Sequence, residues 1–529
     1  WKEDYFNSPT LTTEGCSNLV DCVLLSIKKY KHAIAQVDSI SGQTITFDEI
    51  RTKTQQASAF LFNKGIKNGD VVAICSSNNI DYCWQILAVL NTGASCALLS
   101  PTATPRELNH NLSITKPKVI IGRQFSIEQL QVFEETQCIK YIWLENAPLS
   151  LTKCRPISEL LQDKEECVNS NQLSQWNGLC PAEGSDTAFI LSSSGSTGLP
   201  KGVLLSHNNL ISMLSHSGLF MRHGGTAIGL MPFCHAYGLG LMLMALCEGM
   251  KIVVLPKFSL KTFINIIISY KVTHLYLVPS LVATLAKSDD VTSKTLGSIQ
   301  EVFSGAGAII TKYQRALISK LPPTAKLYHS YGMTETTFTA LFGECRFDKP
   351  GSAGKLVSGF TAKIISEDGE ELKGQLGELC LRGNMIMSGY LDNPEATSQA
   401  IDQGRWLHTG DLAYFDSDGY FYIVDRIKEM IKYQGYQISP SELELVILTH
   451  PGVSEVAVVG VPHEIYGEVP KAYVVRSSRE QPVTSEELSN LIKDELSQYK
   501  QLRGGVSFVD SLPTSPTGKI LRKHLKNLN

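Results

Sequence analysis

Eleven consecutive residues, Ser192-Ser-Ser-Gly-Ser-Thr-Gly-Leu-Pro-Lys-Gly202, carry three glycines, five hydroxyl side chains and one lysine. Glycines let backbone approach a ligand closely, and hydroxyls and N–H groups donate to phosphate oxygens. Lys201 adds a positive charge on a long stem. The stretch is not a Walker loop, which needs Gly-Lys-Ser/Thr, whereas Lys201 sits between Pro200 and Gly202. Further groups able to do chemistry follow downstream. Glu335 lies in Tyr331-Gly-Met-Thr-Glu-Thr336, a lone carboxylate among small and hydroxyl-bearing residues. Asp411 ends Trp406-Leu-His-Thr-Gly-Asp411, Arg426 follows Val424-Asp425, and Lys519 stands in Pro516-Thr-Gly-Lys-Ile520. His235 follows Pro232-Phe-Cys in an apolar run.

The elements that must position these groups read as alternating strands and helices. Thr187–Leu191 is a short apolar run of the kind that forms a buried strand before the glycine-rich loop. Upstream, Val71–Ile74, Ala94–Leu99 and Val119–Ile121 predict strands, with Tyr82–Leu90 a helix. Downstream, Lys251–Leu255 and His274–Val278 predict strands flanking a helix over Phe263–Tyr270. Strands separated by helices imply βαβ units and mainly parallel, doubly wound sheets, with ligand sites in the loops after strand ends. From Gly354 to Val424 the pattern shifts to short strands with Asp368-Gly369 and Asp418-Gly419 turns, which predicts a β-rich subdomain. Beyond it Ser439-Pro-Ser-Glu442 reads as a capping box with proline at the first helical position, and Thr484-x-x-Glu487 as another. The expected organisation is an α/β N-terminal domain over 1–425, its β-rich part at about 354–424, and a small α+β domain over 426–529.

Size and composition imply a globular protein of two or more domains. The chain has 529 residues, 43% hydrophobic and 19% charged. A net charge of −3 gives no reason to expect nucleic acid or an anionic membrane as partner. Ile228–Cys247 has no formal charge and is long enough for a span, yet Pro232, His235, Gly238 and Gly240 predict a buried strand and pocket wall instead. The 13 cysteines are odd in number, scattered and free of Cys-x-x-Cys, which predicts reduced thiols in an intracellular compartment. The C-terminal residues are not Ser-Lys-Leu, which favours the cytoplasm over the peroxisome, and a chain beginning at Trp1 leaves an N-terminal signal open.

The glycine-rich stretch resembles the phosphate-binding signature of the adenylate-forming superfamily of acyl-CoA ligases, beetle luciferases and peptide-synthetase adenylation domains. The segments around Tyr331, Asp411, Arg426 and Lys519 resemble its other signatures in order and spacing, over about residues 40–525. Met385–Thr397 and Leu502–Asp510 look like the branch of coumarate ligases, insect acyl-CoA synthetases and beetle luciferases. The resemblance implies that Ser193, Ser194, Gly195, Ser196, Thr197, Gly198 and Lys201 bind ATP phosphates. It implies that Thr334 meets the α-phosphate, Glu335 holds Mg²⁺ and Tyr331 lies along the adenine, with Ser330 and Gly332 beside it. Gly305, Ala306 and Gly307 match the adenine-wall turn, although relatives usually read Gly-Gly-Ala there. Asp411 and Arg426 match the ribose-binding pair, Lys519 the catalytic lysine and His235 a histidine near the acyl carboxylate. The acid pocket is then walled by His235, Tyr237, Gly305, Gly332 and Phe338. Asp425 matches the hinge, and Lys432, Gln434 and Gly435 the loop that serves coenzyme A, with Gln434 where relatives carry lysine.

The reading is an ATP-dependent acid–CoA ligase for a fatty or aromatic acid, using ATP, Mg²⁺ and coenzyme A. Two step types served by one site make a physical case for a moving C-terminal domain. The rival is a luciferase, a monooxygenase that oxidises its adenylate with light emission. Phe338 and Cys234-His-Ala-Tyr237 differ from the beetle pattern of small residues and His-His-Gly-Phe. A nucleotide-binding scaffold without catalysis is the third possibility, and retention of Glu335, Asp411 and Lys519 speaks against it.

Overall fold

The computed structural model describes residues 15–145, 151–161, 182–193, 200–434, 436–477, 483–514 and 520–528. Among these, the strands form four sheets. The first has nine strands, and its centre, from Lys326–Tyr331 through Glu301–Ser304, His274–Leu277, Thr226–Gly229 and Lys251–Val254 to Ile34–Asp38, is parallel. Antiparallel strands close both edges. The second sheet has eight strands, parallel except for the Thr187–Ser193, Lys201–Ser206 and Gly389–Tyr390 edge. Helices such as Phe47–Asn63, Tyr82–Asn91 and Ala236–Glu248 bury apolar faces against these sheets, and one continuous core runs between both. This is the doubly wound arrangement that alternating elements predict, because parallel neighbours need crossover helices.

Strands from Phe360 to Arg426 make a five-stranded antiparallel sheet, with Asp-Gly turns at 368–369 and 418–419 joining neighbours. The remaining sheet, from Ile431–Tyr433 to Val506–Phe508, carries its own apolar core of Ile431, Leu443, Val458, Leu488, Ile492 and Leu525 among others. A large α/β domain is thus followed by a smaller α+β one.

Two expectations are corrected. The uncharged run Ile228–Cys247 divides into the strand Thr226–Gly229, a turn through Pro232 and the helix Ala236–Glu248. No helix among the described residues is long and apolar enough to cross a membrane. The box predicted at Ser439 forms by half: Ser439 accepts from the Glu442 N–H, but the Glu442 carboxylate turns to Lys500 Nζ at 2.6 Å. An ammonium outcompetes a backbone N–H for a carboxylate. The box at Thr484 is complete.

Candidate active site

Thr187–Ser193 forms because Ala188, Phe189, Ile190 and Leu191 are buried on both sides of the second sheet. It pairs antiparallel with Lys201–Ser206, Ser192 opposite Gly202 and Ser193 opposite Lys201. The glycine-rich segment therefore links two strands of one hairpin, where a Walker loop leads into a helix. Ser194, Gly195, Ser196, Thr197 and Gly198 lie outside the described residues, while Ser193 is buried at the loop's root. At its other end the Pro200 carbonyl lies 2.8 Å from His110 Nε2. The Lys201 ammonium sits 4.7 Å from the centre of the Tyr390 ring.

The strand Lys326–Tyr331 delivers the next group into a tight turn ending in the short helix Thr334–Thr336. A Cβ on Gly332 would stand 1.8 Å from the Phe338 carbonyl oxygen, so only glycine fits there. Glu335 is 6% exposed, and its Oε1 accepts from the Tyr390 hydroxyl at 2.9 Å. Thr337 holds φ of 64°, a left-handed conformation costly for a β-branched residue. Its hydroxyl donates to the Met385 carbonyl at 2.6 Å, which fixes the turn against the following segment. Such local strain gathers at ligand-holding sites.

Asp411 is only 2% exposed. Its two oxygens receive Arg426 Nε at 2.6 Å and the Tyr331 hydroxyl at 2.5 Å. Asp411 and Arg426 are direct partners across the strands Leu407–Phe415 and Phe421–Arg426, so strand register brings the pair together. Burial, and then the Asp411 charge, push the Tyr331 phenol well above its ordinary value, so it stays a donor. The tie between Tyr331 and Asp411 is additional to the adenine contact that the sequence implies for this ring. Behind the turn, Glu378 accepts from the Gly410 N–H and faces His408 Nδ1 at 3.0 Å. Glu378, Cys380 and His408 are the one cluster of potential metal donors among the described residues. Their hydrogen bonds support the irregular 408–410 stretch of the strand Leu407–Phe415, next to Asp411.

Ser304 ends its strand, and Gly305, Ala306 and Gly307 follow as the turn, Ala306 at φ of 67°. His329 anchors it, with Nε2 3.1 Å from the Gly307 carbonyl and Nδ1 3.1 Å from that of Ser352. The Ser330 hydroxyl donates to the Ser304 carbonyl at 3.4 Å. His235 stands at the start of the helix Ala236–Glu248, one turn from Gly238, whose bare Cα lets the helix meet the Pro232 carbonyl. His235 Nε2, Tyr237 OH and Ser304 Oγ are buried without a hydrogen-bond partner among the described residues. Burial holds His235 below the ordinary imidazole value and raises the Tyr237 phenol, so both are neutral. The Tyr237 and Phe338 rings lie 5.8 Å apart, Phe338 rests on Gly240, and Phe220 meets its other side at 5.1 Å. A narrow apolar cavity lined by Met231, Phe233, Gly238, Leu241, Met242 and Tyr276 continues along the same helix.

Two family models cover most of the chain: one for AMP-binding enzymes over residues 25–391 and one for the AMP-binding enzyme C-terminal domain over 442–519. The chain belongs to the AMP-binding enzyme family. It is 35% identical to a luciferin 4-monooxygenase of Nipponoluciola cruciata over 92% of this chain and 90% of that relative. It is 34% identical to 4-coumarate–CoA ligase 3 of Oryza sativa subsp. japonica over 93% and 88% of the two. Among solved structures, the o-succinylbenzoate CoA synthetase of Bacillus subtilis in complex with its acyl-adenylate matches with a TM-score of 0.82 and 26% identity, covering 96% of this chain and 98% of that one.

In this AMP-binding enzyme the structure links Lys201 and Glu335 through Tyr390, and ties Tyr331 and Arg426 to Asp411. It brings Gly305 and Phe338 beside Tyr237, with Ser330 against Gly305 and His235 two residues before that tyrosine. Lys432 and Gln434 sit elsewhere, on a hairpin of the C-terminal sheet whose recorded bonds run to Glu468 and Tyr466. Tyr433 pairs with Tyr436, and Gln434, next to Tyr433, holds φ of 45°. Gly435 and Lys519 lie outside the described residues. Asp425 accepts from Ser439 Oγ at 2.7 Å and the Ser441 N–H at 3.0 Å, capping the first helix of the smaller domain. Tyr390 was not singled out from sequence. It lies within Met385–Thr397, which carried a branch resemblance but no role for this side chain.

Proposed function

We propose that the chain is an ATP-dependent acid–CoA ligase. The carboxylate of an apolar acid attacks the α-phosphorus of ATP, the bond to pyrophosphate breaks, and an acyl-AMP anhydride results. The thiolate of coenzyme A then attacks the acyl carbon and AMP leaves. The observation that carries this reading is the linkage of Asp411 and Arg426 to Tyr331, four residues from the buried carboxylate Glu335. This linkage supports ribose, adenine and polyphosphate contacts within one short segment and its neighbours.

Each residue has a role in this scheme. Asp411 accepts from the ribose diol while Arg426 balances its charge, and Gly305, Ala306, Gly307, Ser330 and Gly332 give backbone and small side chains against the base. Lys201, Thr334 and the serines and glycines of 193–198 take the phosphates. Glu335, an oxygen donor of the hard type, fits Mg²⁺, which when bound would offset charge on the phosphate oxygens. Neutral His235 offers its unpartnered Nε2 to the acid's carboxyl without drawing off its nucleophilic charge. The Tyr237, Phe220 and Phe338 rings exclude water from the reactive anhydride. Lys519 orients the attacking carboxylate and the α-phosphate. Lys432, Gln434 and Gly435 serve the thioester step after the smaller domain turns about Asp425. The N-terminal domain is placed at 1–425 and the mobile one at 426–529, in an intracellular and cytoplasmic protein, which free and mainly buried thiols support.

Pyrophosphate release with ATP and Mg²⁺ across fatty and aromatic acids, with and without coenzyme A under a photon counter, tests the reading. CoA-dependent AMP and thioester in the dark support it, and a panel without release refutes it. The luciferin 4-monooxygenase relative favours a second reading, adenylate oxidation with light, and oxygen-dependent photons would select it.

A further inference from the structure

Tyr390 belongs to a two-residue strand, Gly389–Tyr390, that adds to the phosphate hairpin, Tyr390 opposite Val203 and Gly389 opposite Leu204. The segment is fastened on both sides. Met387 N–H donates to the Glu335 carbonyl at 2.9 Å, Ser388 N–H to Leu204 at 2.9 Å, and Leu391 N–H to Gly202 at 2.8 Å. Backbone bonds thus set one aromatic ring between two groups of opposite charge. Its hydroxyl donates to Glu335 Oε1 at 2.9 Å, and its face carries Lys201 Nζ at 4.7 Å. An ammonium is attracted to the ring face, and a phenol is a strong donor to a carboxylate. Without that ring, a lysine and a buried carboxylate are drawn into an ion pair with each other, which spends both charges on themselves.

We propose that Tyr390 is a positioning residue of the nucleotide site. It keeps Lys201 and Glu335 apart, presenting the ammonium to the polyphosphate and the carboxylate to the divalent cation. This rests on the roles given to those two residues above. The ring acts on the lysine and the hydroxyl on the carboxylate, so the two functions separate by substitution.

The test is equilibrium binding of α,β-methylene-ATP to the full chain by calorimetry, with and without Mg²⁺, alongside thermal melting. No acid substrate is needed. Tyr390→Phe keeps the ring and removes the hydroxyl. It should leave Mg²⁺-free affinity within about twofold of wild type and lower affinity in Mg²⁺ by about tenfold. Tyr390→Leu should also weaken Mg²⁺-free binding, by about threefold to fivefold. On a Glu335→Gln background the Phe substitution should cost no further Mg²⁺-dependent affinity. Wild-type affinity of the Phe variant in Mg²⁺ would overturn the proposal, as would equal losses with and without Mg²⁺ or additive losses in the double variant. A wild-type protein that binds no nucleotide would sink the adenylation reading itself. Binding by wild type with an indifferent Phe variant would sink this proposal alone.

Discussion

Asp411→Asn isolates the charge at the ribose position with little change in volume. The side chain is buried, and its oxygens hold Arg426 Nε at 2.6 Å and Tyr331 OH at 2.5 Å. Asparagine keeps one acceptor but turns the other into a donor, which faces a guanidinium or a phenol that also donates. A hydrogen bond to a charged acceptor contributes about 1.5–3 kcal/mol, so ATP affinity should fall roughly tenfold to a hundredfold. The fold should suffer less. Removing one partner of a fully buried ion pair costs about 3–5 kcal/mol. Arg426, however, is 36% exposed in its side chain, and water takes up part of the loss. An expected cost of about 1–2 kcal/mol follows. Calorimetry with the non-hydrolysable nucleotide, paired with urea unfolding, reads both effects. A variant that binds ATP within twofold of wild type would remove Asp411 from the nucleotide site. A stability loss near the fully buried figure would show that Arg426 has no recourse to solvent.

Four other outcomes are expected. Lys519→Ala should abolish adenylate formation and leave thioester formation from preformed acyl-AMP largely intact, which single-turnover assays of the half-reactions resolve. Asp425→Ala should cost about 1 kcal/mol by uncapping the helix at Ser439, and should slow thioester formation more than adenylation. Phe338→Ala should raise relative kcat/KM for bulkier acids at a stability cost of about 3–5 kcal/mol, read by an acid panel and by melting. Burial holds His207 down to about 4, and its Nδ1 accepts from the Leu19 N–H at 3.2 Å. The unfolded chain then takes a proton below about 6.5 that the folded chain refuses. His207 therefore contributes stability above that pH that is lost as pH falls toward 4, about 3 kcal/mol in all. His207→Asn should flatten that limb of the urea-midpoint profile while keeping an acceptor for Leu19.

The strands before Ser192, the Asp-Gly turns and the two-domain order were legible because each depends on local chemistry: apolar runs, turn residues and capping hydroxyls. The groups assigned to the proposed nucleotide site stood out because their short motifs resemble family signatures. What was not legible depends on distant parts of the chain meeting. Tyr390 reaches Lys201 and Glu335 only because its strand pairs with Val203 and Leu204, and no local signal announces that pairing. The Ser439 box failed for the same reason, since Lys500 comes from another element. Thr337 in the left-handed region has no sequence mark, because its tie is the Met385 carbonyl. His235 could be placed by motif, but the company of unpartnered Tyr237 and Ser304 atoms belongs to the folded pocket.

The proposed acid pocket is walled partly by atoms that selection cannot easily edit. At Gly332 any side chain would meet the Phe338 carbonyl at 1.8 Å, and at Gly305 it would meet Ser330 Oγ at 2.7 Å. Substitution at the first displaces main chain, whereas the second clash involves a small rotatable hydroxyl. Drift in substrate range through single mutations is thus channelled to Tyr237, Ser330, Phe338 and the lining of the cavity along the helix that carries Tyr237. A library that randomises Gly332 would return mainly unfolded clones. One that randomises those side chains would explore new acids on an unchanged nucleotide platform.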